Sequence, residues 1–422
     1  MPDGSATAHL FRPKLLTIAA EGYGISSFRR DFVAGLTVAI VALPLSMAIA
    51  VASGVSPERG LYAAIVGGFL VSALGGSRYQ IGGPAGAFIV LVAATVADHG
   101  VDGLLITVII SGIFLTVIGL TGLGALIRHI PQPVTVGFTC GIAVTILASQ
   151  LKDLGGLTLV GAEPSHLFPK LVALGGALPT VKPSAVAVGV GSAALIFALQ
   201  RWRPVWPAML IAVALASLTA FALQLPIETI GSRFGGIPTS LPLPAIPAIT
   251  AARIWELLPA AISFTLLGGI ESLLSAKIAD GMTGRKHRYN MELVAQGVAN
   301  VATAQFGGLC VTGTIARTAT NIRAGAKSPI SGMLHAIFLL LFMVVAAPLA
   351  NYIPLAALAG LLLVVCWNMA DKAEFAELLQ RWPAAMVLLV TFLLTLVADL
   401  AVGITAGCVV AAALHFLGRR AA

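Results

Sequence analysis

Residues 311–332 read VTGTIARTATNIRAGAKSPISG. The chain on either side is strongly apolar, yet this stretch opens with Thr312, Gly313 and Thr314 and sets Arg317 one helical turn further on. A cation at the centre of a bilayer costs about 3 kcal/mol or more. Hydroxyls, glycine and an arginine need a reason to be there, and that reason governs both fold and chemistry.

The setting is a membrane. Of 422 residues, 58% are hydrophobic and 10% charged, with a mean hydropathy of +0.98. A soluble domain carries about 25% charged residues. No soluble core of this length hides so much apolar surface, so an all-α polytopic membrane protein is expected. The first thirty residues carry Arg12, Lys14, Arg29 and Arg30 without a small-residue cleavage site after a short apolar core, so no cleavable signal peptide is expected. Cys140, Cys310, Cys366 and Cys408 are scattered, with no metal or disulfide spacing, and read as small packing residues. The net charge of +8 lies in short loops between apolar runs, which fits membrane topology and not nucleic-acid binding.

Apolar runs bounded by Gly, Pro or charge predict fourteen transmembrane segments. They lie near 32–52, 60–75, 84–98 (short), 103–127, 133–151, 183–200, 205–223, 255–280, 291–306, 314 onward (short), 328–349, 353–370, 383–398 and 400–417. With both termini cytoplasmic, seventeen Lys and Arg fall inside and six outside, Lys277 and Arg317 lying in or near spans. That imbalance supports the topology. GRKHR (284–288) reads as a cytoplasmic anchor. Shifting the chain by 232 residues lays GLYAAIVGGFLVSALGG (60–76) on ELVAQGVANVATAQFGG (292–308), and segment 3 on segment 10. Interrupted, Gly-rich segments at matching places in two halves point to an inverted-repeat transporter with a midplane site.

Segment 3 begins SRYQIGGPAGAF (77–88) and segment 10 LCVTGTIARTA (309–319). Each has an extended, Gly- or hydroxyl-bearing lead before a helix, with Pro84 suited to a first helical turn. Two half-helices starting at the midplane would aim free N–H groups and positive dipole ends at one point, an anion site. Arg317 would add its charge; Thr312, Thr314 and Thr318 could donate hydrogen bonds; Gly82, Gly83 and Gly313 would allow close approach. The expected anion-binding residues are Gly83, Pro84, Ala85, Thr314, Ile315, Ala316 and Arg317, joined by Leu45 and Ser46 if Pro44 kinks span 1 towards the site. Alternatively the small residues form a helix-packing interface, with Arg317 snorkelling or paired to a carboxylate.

Span 8 carries SFTLLGGIESLLSAKIADGMTG (263–284). Glu271 sits mid-span with Ser275 as its i+4 neighbour. With Ser275, Thr312 and Gly313 it could bind Na+, or it could carry a proton; the alternative is an ion pair with Arg317. Lys277 and Asp280 read as interface residues and His335 as a satisfied interior histidine. Tyr79, Phe88 and Phe138 are either pocket lining or packing.

These pieces resemble the SulP family, the sulfate permeases and related anion transporters that include the motor protein prestin. The resemblance rests on AGLTVAIVALPLSMAIA (34–50), SPERGLYAAI (56–65), GGSRYQIGGPAGAF (75–88), GIESLLSAKIAD (269–280), NMELVAQGVANVATAQFGG and VTGTIARTATNIRAGAKSPISG (290–332). It implies a seven-plus-seven inverted repeat. A cytoplasmic segment 1–30 would precede a core domain (31–128 and 251–349) and a gate domain (129–225 and 350–418). It also implies an elevator movement of core against gate, a homodimer, and a coupling role for Glu271. The family's C-terminal STAS domain is expected to be absent, the sequence stopping at HFLGRRAA. Bicarbonate importers of the family tend to have an uncharged residue where Arg317 stands and Asp in place of Glu271, which tilts the reading towards sulfate or a dicarboxylate over bicarbonate.

The expected function is thus cation-coupled (H+ or Na+) symport of a small oxyanion across a bacterial inner (plasma) membrane, with no other cofactor. The alternative is an anion exchanger or uncoupled chloride pathway, which would not need a carboxylate at 271. A nucleobase transporter would present carboxylates to base edges instead of Arg317. An enzyme would need a nucleophile–base pair or metal cluster in the spans, and no HExxH or recurring acidic pair occurs.

Overall fold

Helix ends in this chain fall where Gly, Pro or a polar cap interrupts an apolar run. The computed structural model describes residues 11–124, 131–161, 163–164, 166–204, 206–398 and 400–420. The first half begins with α1 (Lys14–Glu21), α2 (Ile25–Ala52) and α3, which starts as Pro57–Tyr62, loosens to a π-helical turn at Ala63–Gly67 and resumes as Gly68–Leu74. Strand β1 (Gly82–Gly83) and a 3-10 turn (Gly86–Phe88) lead into α4 (Ile89–Leu120). Then come α5 (Gln132–Gly155), α6 (Leu167–Ala177), α7 (Pro183–Trp202), α8 (Ala208–Ala222) and the short α9 (Ile230–Phe234).

The second half contains α10 (Ala251–Thr283), α11 (Tyr289–Gln305), β2 (Thr312–Gly313), α12 (Ile315–Arg323) and α13 (Ile330–Ala350). It closes with α14 (Leu355–Met369), α15 (Lys372–Leu379), α16 (Trp382–Val397) and α17 (Leu400–Arg420). Seven of the described helices are long and apolar enough to cross a membrane. Every expected segment has a helical counterpart, segments 3 and 4 being the two parts of α4 on either side of Gly100, whose φ of 70° is non-helical.

One expectation is extended and one corrected. The helix that carries span 1 begins at Ile25, ahead of the apolar run from Phe32, because the polar turn SSFRRD is helical too and its Asp31 is wholly buried. That carboxylate accepts from Tyr23 Oη (2.7 Å), the backbone N–H groups of Lys327 (2.6 Å) and Ser328 (3.1 Å), and Ser328 Oγ (2.5 Å). Asp31 thus ties α2 to the approach to α13. Pro84 is not in a first helical turn; it lies in the extended lead, with Ala85 also extended at φ −114° and ψ 145°. Residues 1–10 of the expected N-terminal segment and 125–130, at the end of span 4, lie outside the described residues.

Helices cross at small residues, as expected where lipid supplies no hydrophobic drive. A Cβ on Gly112 of α4 would stand 2.7 Å from the Gly297 carbonyl of α11, and one on Gly297 would stand 2.4 Å from the Gly112 carbonyl. The main packing partners are α4 with α11 and α10, α2 with α13, α5 with α16 and α14, α7 with α14, and α16 with α17. β1 packs on α3 and β2 on α10.

Candidate anion-binding site

Buried polar side chains hold the two strands in place. β1 and β2 pair antiparallel, Gly82 opposite Gly313 and Gly83 opposite Thr312. Thr314 extends the pairing: its N–H (3.0 Å) and hydroxyl (3.2 Å) both donate to the Ile81 carbonyl. The Ile81 N–H donates to Thr318 Oγ1 (3.1 Å), and Asn321 Nδ2 donates to the Tyr79 carbonyl (2.9 Å). Non-helical backbone at membrane depth survives only when its polar groups are satisfied inside the protein. For Val311 that service comes from Asn300 on α11, whose amide bonds both its N–H and its carbonyl at 2.8 Å. Ser272 on α10 joins the strands to that helix. Its hydroxyl meets Thr312 Oγ1 at 2.8 Å and accepts from the Gly313 N–H at 3.3 Å, while its carbonyl accepts from Gln80 Nε2 at 3.1 Å.

Arg317 lies between the two leads, 1% exposed. Its Nη2 donates to Ser46 Oγ (3.1 Å) and the Pro84 carbonyl (3.3 Å), and Ser46 donates in turn to the Ala42 carbonyl (2.7 Å). Its Nε and Nη1, both buried, have no acceptor among the described residues. A Cβ on Gly83 would stand 2.1 Å from Nη1, so the guanidinium packs directly on the β1 backbone. Of the expected anion-binding residues, Gly83 and Pro84 touch Arg317, Ser46 bonds it, and Thr314 stands at the N-cap position of its helix with its hydroxyl turned to the Ile81 carbonyl. Leu45 and Ala85 are buried, Ile315 is half-buried and Ala316 exposed. The first-turn N–H groups of α12 have no intrahelical acceptor.

Glu271 is buried, and its carboxylate forms neither hydrogen bond nor ion pair with any described residue. It is not the partner of Arg317, so the ion-pair alternative fails. The rest of the expected coupling set is arranged differently from expectation. Ser275 Oγ donates to Thr318 Oγ1 (3.3 Å), and Thr312 and Gly313 turn to Ser272, with Thr312 Oγ1 also donating to the Gly268 carbonyl (3.3 Å). Those oxygens are tied to the strands because Ser272, not Glu271, faces them.

His335 is wholly buried, but neither ring nitrogen has a partner among the described residues, so it is not the satisfied histidine expected. Phe88 packs on Phe264 with ring centroids 5.5 Å apart, and Phe138 is buried in the core; both are packing residues. Asp280 bonds His287 Nδ1 at 2.7 Å, and Lys277 is exposed. Ser272, Gln80, Asn300 and Asn321 were not singled out from the sequence. The available signal was that each is a polar residue in or beside an apolar run.

A polytopic helical protein whose two broken segments meet at a buried, acceptor-poor arginine is built as an anion transporter. The chain matches the model of the sulfate permease family over residues 28–394 and belongs to that family, whose members are transporters and not enzymes. It is 41% identical over 396 residues to the putative sulfate transporter YvdB of Bacillus subtilis (strain 168), covering 93% of this chain and 74% of the relative. It is 30% identical over 396 residues to the bicarbonate transporter BicA of a Picosynechococcus species, covering 91% and 69%. The solved transmembrane domain of a cyanobacterium BicA is similar with a TM-score of 0.82 at 29% identity, covering 90% of this chain and 98% of that one. The murine anion transporter Slc26a9, in its inward-facing state, shares the fold at TM-score 0.87 and 16% identity, covering 99% and 73%. The protein is thus an integral membrane transporter of small anions.

Proposed function

We propose that the protein is a secondary active symporter that imports a small oxyanion, driven by a cation that binds at Glu271. The observation that carries this is the state of the two buried charges: Arg317 keeps Nε and Nη1 without an acceptor, and Glu271 has no counter-charge. A helix N-terminus is equivalent to roughly +0.5 of a charge. Two such ends with Arg317 give about +2, which matches a divalent oxyanion when Glu271 is neutral. Sulfate or a dicarboxylate fits that balance better than bicarbonate, and the resemblance to a putative sulfate transporter agrees with it.

A proton is the favoured coupling ion. It needs only the carboxylate, whereas Na+ needs converging oxygens, and those of Ser275 and Thr312 are already engaged elsewhere. With Glu271 protonated and the anion bound, the buried charges balance, and the loaded site can cross. With one ion missing, an unpaired buried charge penalises the movement.

The movement is an elevator-type displacement of the core (31–128 and 251–349) against the gate (129–225 and 350–418). The packing of α2 on α13 and α4 on α10 and α11, separate from that of α5, α7, α14, α16 and α17, supports the division. The reading includes a homodimer in a bacterial inner membrane; the seventeen-to-six charge asymmetry supports its further element, that both termini are cytoplasmic.

The test is uptake of labelled sulfate, fumarate and bicarbonate into proteoliposomes under an H+ gradient, an Na+ gradient or neither. Accumulation of a dianion under the H+ gradient, abolished in Glu271→Gln while dianion exchange persists, is the expected result. Exchange alone, indifferent to both gradients in the unmodified protein, would make it an exchanger.

A further inference from the structure

Residues 11–30 run as a strap over the face where the 75–78 and 284–288 loops emerge. The Lys14 N–H donates to the Gly75 carbonyl (2.9 Å), and the Arg288 N–H donates to the Gly76 carbonyl (2.9 Å). Arg288 Nη1 grips α1 on both sides of Lys14, donating to the Arg12 carbonyl (2.7 Å) and Thr17 Oγ1 (2.9 Å). Arg78, only 9% exposed, pairs with Glu21 at the far end of α1.

Three cations from three segments are therefore gathered on one short helix, and Glu21 matches the charge of Arg78 alone. Glu21 is taken by Arg78 and Asp280 by His287. The half-buried Lys14 ammonium has no hydrogen-bond or ion-pair partner among the described residues. Burial, then Arg288 and Arg78, pull Lys14 down to about 8, against the weaker opposing pull of Asp280 and Glu21. The same strap exposes Phe11 (36%), Leu16 (50%), Ile25 (75%) and Phe28 (37%) among the exposed Arg12, Arg29 and Arg30. Exposed apolar side chains interleaved with cations mark an element that lies in the membrane interface, where anionic headgroups gather.

We propose that Lys14 and Arg288, beside the Arg78–Glu21 pair, bind the phosphate of an anionic phospholipid headgroup, while the apolar side chains of the strap enter the acyl boundary. The strap is bonded to Gly75 directly and to Gly76 through Arg288, and β1 begins at Gly82, so bound lipid would steady the lead that carries Gly83 to Arg317.

The experiment compares the full chain in nanodiscs of phosphatidylcholine alone and with phosphatidylglycerol, reading thermal stability and lipid retention by native mass spectrometry. Phosphatidylglycerol is expected to raise the melting temperature and be retained. Lys14→Gln, which keeps the backbone bond to Gly75 and removes no side-chain hydrogen bond, is expected to weaken retention about fivefold, the loss of one cation at a membrane surface. Raising the pH through about 8 deprotonates Lys14, so the advantage should shrink in the unmodified protein and persist in Lys14→Arg. Equal behaviour in the two lipids, or a Lys14→Gln variant that responds like its parent, would overturn the proposal. So would inorganic phosphate in phosphatidylcholine discs reproducing the whole effect, since the ligand would then be a free anion.

Discussion

Gly83 lacks a side chain because Arg317 occupies the space one would fill. Gly83→Ala should therefore push the guanidinium from its bonds to Ser46 and Pro84 and raise the KM for the anion about tenfold, roughly 1.4 kcal/mol, with little loss of protein; transport assays across a concentration series check it. Arg317→Ala removes charge-assisted bonds worth about 1.5–3 kcal/mol each and should weaken dianions more than monoanions. Equal losses for both would make Arg317 a structural strut. These residues were legible in the sequence because, in a chain so apolar, a lone arginine after Thr-Gly-Thr and a mid-span Glu stand out. Ser272 did not, because a serine on a transmembrane helix usually bonds its own backbone. Its real partner Thr312 is 40 residues away, and Gln80, which donates to its carbonyl, is 192 away.

At the scale of elements, β2 depends on α11. Val311 has both backbone groups bonded to one amide, that of Asn300. Asn300→Ala leaves two buried polar groups without partners and should destabilise the protein by about 2–4 kcal/mol. Unfolding by SDS titration measures this, and a variant within error of the parent would show that water takes over both bonds. The helices themselves could be read from hydropathy and from Gly and Pro punctuation, to within a few residues at most ends. Two kinds of element could not. α1 is eight residues long, too short for its amphipathic pattern to make a stable helix alone; it is held by distant loops, not by its own propensity. The extended lead around Pro84 looked like a helix start because Pro favours both; what decides is the carbonyl of Pro84, turned to Arg317.

At the scale of the molecule, the two packing groups meet mainly where α14 and α8 lie against α2. If they move past each other during transport, a disulfide engineered between α2 and α14, in a chain with its four native cysteines replaced, should stop uptake, and reduction should restore it. One between α2 and α13, within a single group, should leave uptake near normal. Inhibition by both would argue against rigid groups. The repeat could be glimpsed from the 232-residue offset, but not the pairing of its parts, since antiparallel contact between Gly82 and Gly313 leaves no trace in local composition.

That pairing has a further consequence for how such a site could arise or be rebuilt. Divide the chain between α9 and α10, and each fragment keeps one strand and one half-helix, with neither able to hold an anion alone. Fragments coexpressed in one membrane would regain function only by reassembling head to tail across the Gly82–Gly313 register. The binding site is therefore a property of the meeting of two halves, and complementation between them would measure how well their packing and the strand register together restore it.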